Sequence, residues 1–330
     1  LLYACSPLVW TYAVGSEVFS MNNFFASAVV LLTVAFAAEP AARGRMRVAM
    51  LGALVCGLGM CNQHTLILYE LPLVAWILWT LHRSGGGGGD GLSVAQFLSL
   101  AGAFFLGLLP YVYLPIASTL FPKRGAWGDM STLTGFWRHL RRADYGTFQL
   151  YSKNDETQGL TERIFAHGKD FAVRQGLWAV GPVFAAVGLC CCLWAWRRHR
   201  HAGAPSLPSS ASGGGGKKKK KRRLPKQVKM AGPEDKEEEE EKKKKGNDTR
   251  NEGGDGVAKA DADATVAMVV VGEGSDVCLA LFVAFALYEV GFHSLSNLPL
   301  DNPLLFGIHA RFWMQPNVLL FVWVGIGLIF

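Results

Sequence analysis

The feature that most constrains this chain is the blocking of its apolar residues. They fall in long runs, Asn23 to Ala38, Val94 to Ile116, Gly176 to Trp196 and Val277 to Val290 among them, separated by short polar breaks. A run of roughly 17–25 apolar residues crosses the hydrocarbon core of a bilayer as a helix, and only helices or closed barrels satisfy their backbone there. The pattern predicts an all-α, polytopic helical membrane protein with about eight spans, near 1–15, 22–38, 47–62, 65–81, 94–116, 175–196, 276–294 and 314–330. The expected layout is membrane helices with polar turns over 1–116, a long loop over 117–174, a helix at 175–196, a linker at 197–265 and further helices over 266–330. The chain opens on Leu1 and stops at Phe330 within apolar runs, so it reads as a fragment.

The net charge of +7 suggests a basic binding protein until it is located along the chain. From Arg197 to Thr265 there are 19 Lys and Arg against 12 Asp and Glu, an excess equal to that of the whole chain. The rest is neutral, which removes the argument for nucleic-acid binding. The 197–265 segment, built of Gly, Lys and Glu blocks with few branched or aromatic residues, cannot bury enough surface to offset ordering entropy and is expected to be disordered. Seven cysteines show no CxxC pair and no zinc spacing. Cys190, Cys191 and Cys192, next to Arg197 and Arg198, suit either lipidation or inert burial.

Short loops orient membrane proteins, with Lys and Arg retained on the cytoplasmic side. Arg43, Arg45, Arg47, Arg83, Arg197, Arg198 and Arg200 fall on one side by alternation. The opposite side, expected to be lumenal, then receives Glu17, Asn22, Asn23, Asn62, Gln63, His64, the 117–174 loop, Glu289, His293 and Arg311, with Glu70 about a turn and a half deeper than His64. Polar groups at membrane depth are costly and raise a functional hypothesis. Each also has a structural reading: Glu17 and Asn22 as helix caps, Asn62-Gln63-His64 as a hairpin turn, Arg311 beside Phe312 and Trp313 as an interfacial anchor, Trp127-Gly128-Asp129 and Tyr145-Gly146 as loop turns. No nucleophile elbow, P-loop, HExxH or dinucleotide fingerprint occurs. The residues alone lead to a polar cleft at one face of a helical membrane protein.

Six strings carry a resemblance further. Ala13-Val14-Gly15-Ser16-Glu17-Val18-Phe19-Ser20-Met21-Asn22-Asn23, Cys56-Gly57-Leu58-Gly59-Met60-Cys61-Asn62-Gln63-His64-Thr65, Leu108-Leu109-Pro110-Tyr111-Val112-Tyr113-Leu114-Pro115-Ile116, Trp127-Gly128-Asp129, Tyr145-Gly146-Thr147-Phe148 and Arg311-Phe312-Trp313-Met314-Gln315 together resemble the transmembrane protein 260 family. The resemblance implies a GT-C type endoplasmic-reticulum glycosyltransferase that moves mannose from dolichyl phosphate mannose to Ser/Thr of lumenal IPT-type receptor domains. Such a transfer needs an acid to take the acceptor's proton and donor groups to steady the departing phosphate, a task that Lys or Arg performs without metal or cofactor. The family's acidic base is expected in a lumenal loop preceding Leu1. Within this chain the resemblance makes Glu17 the acidic candidate for orienting acceptor or sugar, His64 and Arg311 candidates for the donor phosphate, and Asn62, Gln63, Trp127, Asp129 and Tyr145 candidates for positioning substrate. The alternative is a multi-pass transporter or lipid-handling protein, for which inverted repeats and mid-membrane helix breaks are the expected sign.

Overall fold

The computed structural model describes residues 2–15, 18–84, 91–121, 129–141, 143, 158–175, 180–201, 275–296 and 298–329. Two compact units divide the chain, Leu1–His199 with Val266–Phe330 and Arg200–Thr265. Apart from the end of one helix, the second unit, and with it nearly all of the expected linker, lies outside the described residues.

The first unit is helical throughout its described length: α1 (Pro7–Ala13), α2 (Val18–Ala38), α3 (Ala42–Asn62), a 3-10 turn (His64–Leu66), α4 (Ile67–Ser84), α5 (Val94–Gly107), α6 (Pro110–Leu120), α7 (Leu133–Leu140), α8 (Leu160–Asp170), a π turn (Phe171–Gln175), α9 (Val180–His201), α10 (Ser275–Leu295), α11 (Pro303–Arg311) and α12 (Met314–Ile329). Among the described residues six helices are long and apolar enough to cross a membrane, or seven if the pair α11 and α12, bent by 55°, is one span. The chain is thus an all-α polytopic membrane protein. The crossing expected at 1–15 is represented by α1, whose seven residues are too short to span.

Sequence signals place the helix ends. Ser93 caps α5 in a capping box with Gln96, and Asn302 caps α11 ahead of Pro303 at its first position, where a missing N–H costs nothing. Helix crossings are made close by glycine. A Cβ on Gly57 of α3 would strike the Phe104 carbonyl of α5, and one on Gly107 would strike the Leu54 carbonyl of α3. Gly188 of α9 and Gly327 of α12 relate in the same way, each facing a carbonyl of the other helix. In lipid, where apolar surface gains nothing by leaving solvent, such close backbone approach is a main source of helix association.

The bundle has two chemically different ends. Arg45 Nη1 lies 3.1 Å from Ser84 Oγ, bringing the α2–α3 turn to the end of α4. The free thiols of Cys192 on α9 and Cys278 on α10 are hydrogen-bonded, so Arg197 and Arg198 at the close of α9 share that end with the start of α10. The other end gathers the starts of α2, α4 and α12 with the close of α3 and α10, where most buried polar residues lie.

Candidate functional site at the polar end

The site is built around a broken helix. Pro316 has no N–H for the carbonyl of Phe312, and the chain bends between α11 and α12. Irregular backbone at membrane depth persists only where protein satisfies it. Three tyrosines do so: Tyr288 Oη donates to Phe312 O at 3.0 Å, Tyr3 Oη to Met314 O at 3.0 Å and Tyr69 Oη to Gln315 O at 2.6 Å. The Gln315 side chain bonds Thr65 Oγ1 at 3.3 Å, joining the break to the α3–α4 turn. The Arg311-to-Gln315 string is therefore a helix break clasped by the turn before α1, by α4 and by α10.

The α3–α4 turn is locked as firmly. Asn62 Nδ2 donates to Val18 O at 3.0 Å, fixing the turn to the start of α2. Gln63, extended at φ −153°, is buried. Tyr111 Oη donates its single proton to Met60 O at 2.9 Å and lies 2.6 Å from His64 Nε2, so that nitrogen carries the proton shared with the hydroxyl. Asn22 is fully buried about one turn beyond Val18 on α2, with neither amide atom bonded among the described residues.

Beneath the break lies an ionic network. α8 carries Arg163, His167 and Asp170 at helical spacing and turns that polar face into the bundle. His167 Nδ1 is 2.9 Å from Glu289 Oε1 of α10, and its Nε2 is 2.9 Å from Asn317 Oδ1 of α12. With an oxygen at each nitrogen the ring is a double donor, an imidazolium. Burial opposes that charge, yet the Glu289 carboxylate and the bonds to Glu289 and Asn317 outweigh it and raise the His167 pKa above its ordinary value. His293 is held from both sides: Trp313 Nε1 donates to its Nε2 at 3.1 Å, while its Nδ1 lies 2.8 Å from Glu289 O and 3.3 Å from Glu289 Oε2. Arg163, only 1% exposed, donates through Nε to Gln158 O at 2.9 Å and through Nη1 to Ser296 Oγ at 3.1 Å, and Ser296 in turn meets His309 Nδ1 at 2.9 Å. A cavity of about 510 Å³ between α8, α9 and α10 has His167 and Glu289 as its charged wall and Phe171, Phe285 and Trp323 among its apolar ones.

The sequence candidates divide. Glu17, Trp127 and Tyr145 lie outside the described residues. Asn62, Gln63 and His64 form the turn above. Arg311 closes α11 with its guanidinium 4.9 Å from the Tyr12 ring and 5.9 Å from that of Phe19. Asp129 is exposed in the turn before α7, where bonds from the Ser131 hydroxyl and N–H hold its carboxyl below the usual range. Glu289 and His293 were expected at this end and are there. Arg163, His167, Asn317 and His309 were missed. The signal for α8 was its Arg163, His167, Asp170 periodicity inside a stretch read as loop.

Fold and site define a multi-pass helical membrane protein with a buried polar chamber at one end. Residues 1–85 match the family model described as the protein O-mannosyl-transferase TMEM260 N-terminal domain. The mouse protein named protein O-mannosyl-transferase TMEM260 is 44% identical over 149 residues, 45% of this chain and 20% of that protein. Its Dictyostelium discoideum namesake is 26% identical over 337 aligned positions, 99% of this chain and 32% of that protein. The resemblance carried by the six strings is borne out. The chain spans about a fifth to a third of the length of these relatives. No solved structure matches it.

Proposed function

We propose that the protein to which this chain contributes is a protein O-mannosyltransferase of the GT-C type. The observation that carries this reading is similarity over 99% of the chain to a relative named for that activity, with the Asn62-to-Thr65 and Arg311-to-Gln315 strings at the polar end. The reaction moves mannose from dolichyl phosphate mannose to a Ser or Thr hydroxyl of a lumenal IPT-type domain, in the endoplasmic reticulum membrane, with the polar end facing the lumen. A dolichyl tail stays in lipid while its phosphosugar meets the surface, which requires a site where spans end. Arg311, beside the clasped break, offers charge and paired N–H groups to the donor phosphate, and His64 in the α3–α4 turn, its Nε2 held by Tyr111, offers Nδ1 as a second donor in its protonated form. Glu17 orients acceptor or sugar, while Asn62, Gln63, Trp127, Asp129 and Tyr145 position substrate and loop. The His167–Glu289 pair holds α8 against α10 and so keeps the chamber closed to bulk water.

The test is reconstitution of the full-length protein with donor labelled in its mannose and a folded IPT domain. Label should appear on Ser or Thr of the domain and vanish when those residues are replaced by Ala. A purified, correctly inserted protein that leaves the domain unlabelled would exclude the reading.

A further inference from the structure

Away from the chamber, a slot of about 320 Å³ lies between α2, α3, α4 and α5. Its walls are hydrocarbon except at three residues. Thr33 spends its hydroxyl on Val29 O at 2.8 Å, and the Cys56 thiol donates to the Glu70 carboxyl. Glu70 itself is 5% exposed, and its Oε1 has no hydrogen-bond donor among the described residues. A polar oxygen buried without a partner costs about 1–3 kcal/mol, so the slot is incomplete in one specific respect: no described group of the protein is placed to hydrogen-bond Oε1.

The shape is equally specific. Both Ile67 and Leu78 of α4 line the slot, a length of about 16 Å at a rise of about 1.5 Å per residue. Glu70 lies near the polar end and the rest runs toward the arginine-rich end. Leu71 and Phe105 at the rim are 56% and 66% exposed, so the slot opens sideways to lipid. Gly52 keeps it open from within, since a Cβ there meets nothing within 4 Å.

We propose that this slot binds a sterol, a rigid hydrocarbon lipid whose one hydroxyl donates to Glu70 Oε1. An amphiphile entering from the leaflet at the polar end arrives with its hydroxyl at Glu70 and its body along the apolar length. Phosphodiesters, including a dolichyl phosphate sugar, would carry a full negative charge into walls that are almost entirely hydrocarbon. Diacylglycerol brings two tails to a single slot. A polyprenol has the hydroxyl, but its free rotors lose more entropy on ordering than a fused ring system does. The site is separate from the transferase reading and stands or falls without it.

The experiment uses the full-length protein in detergent with a photoreactive sterol that keeps its hydroxyl, cross-linked peptides being mapped by mass spectrometry. Labelling should fall on α3, α4 and α5 segments facing the slot. Unlabelled sterol should compete, its methyl ether about tenfold less well, consistent with loss of one hydrogen bond. Gly52→Leu starts from a Cβ position that meets nothing within 4 Å and places its side chain in the slot, so it should reduce labelling at least tenfold at unchanged thermal stability. Glu70→Leu should do the same, while Glu70→Gln, which keeps an acceptor oxygen, should retain most of it. Equal competition by the methyl ether, labelling undiminished in Gly52→Leu, stronger competition by a polyprenol, or no labelling of the slot would each overturn the assignment.

Discussion

His167 and Glu289 meet at 2.9 Å with both side chains enclosed, one on a short amphipathic helix and the other on a membrane span. This ion pair, with the Arg163–Ser296 and His167–Asn317 bonds, fastens α8 to the core of the bundle. Such a pair adds little over a well-packed apolar substitute, but removing one partner strands the other.

Loss of the partner is the first prediction. Glu289→Ala leaves a buried imidazole without its anion and should destabilise the protein by about 3–5 kcal/mol. The pH dependence has a definite sign. His167 is raised above its ordinary value of 6.5 in the folded state, so its contribution is complete below that pH and is lost as pH rises through the raised value. Thermal melts in detergent from pH 6 to pH 9 should show wild type losing stability that Glu289→Gln, already without it, does not lose. Parallel slopes would contradict the assignment of charge to His167.

Glycine crossings give the second. Gly188→Val drives a side chain into the Trp323 carbonyl, and Gly107→Val into that of Leu54. Each should cost about 1–3 kcal/mol or more, since a backbone carbonyl cannot rotate aside as a side chain can. Gly102, around which a Cβ meets nothing within 4 Å, is the control: Gly102→Ala should be neutral or stabilising by up to about 1 kcal/mol. A destabilised Gly102→Ala with tolerant Gly188→Val would reverse the packing account.

Much of this architecture was legible in the sequence because lipid permits so few solutions. Apolar length located the spans, and Asn62-Gln63-His64 between two of them located a turn. What escaped was the chamber. His167 and Arg163 find Asn317 and Ser296 at separations of 150 and 133 residues, and no local pattern encodes those meetings. The break at Phe312 was marked by Pro316, yet the tyrosines that satisfy it come from the turn before α1, from α4 and from α10, and each reads alone as an interfacial aromatic. Residues 1–15 misled by composition: the run is apolar enough for a span, but Pro7 starts a helix that ends at Ala13.

Orientation is tested through Asn247-Asp248-Thr249, the one N-glycosylation sequon in the chain. The positive-inside rule predicts that the arginine-rich end, where α9 closes, is cytoplasmic. Asn247 should carry no glycan in cells. A glycan there, removed by endoglycosidase, would invert the topology and put the polar end in the cytoplasm.

Arg311 separates a phosphate contact from an interfacial anchor. As a contact, Arg311→Ala in the full-length protein should reduce transfer by at least a hundredfold, and Arg311→Lys should restore part of it through charge without paired N–H geometry. As an anchor stacked on Tyr12, it should tolerate Lys with full activity. Equal transfer by wild type and Arg311→Ala at matched expression would remove the phosphate role.

The most direct measurement of the central claim is donor choice by the reconstituted full-length protein. Vesicles containing it are supplied with mannose-labelled dolichyl phosphate mannose or with the soluble nucleotide sugar GDP-mannose, and incorporation into a folded IPT domain is followed over time. A site at the ends of membrane spans predicts transfer from the lipid-linked donor alone. Transfer from the nucleotide sugar in the absence of any lipid donor, or none from either, would contradict it.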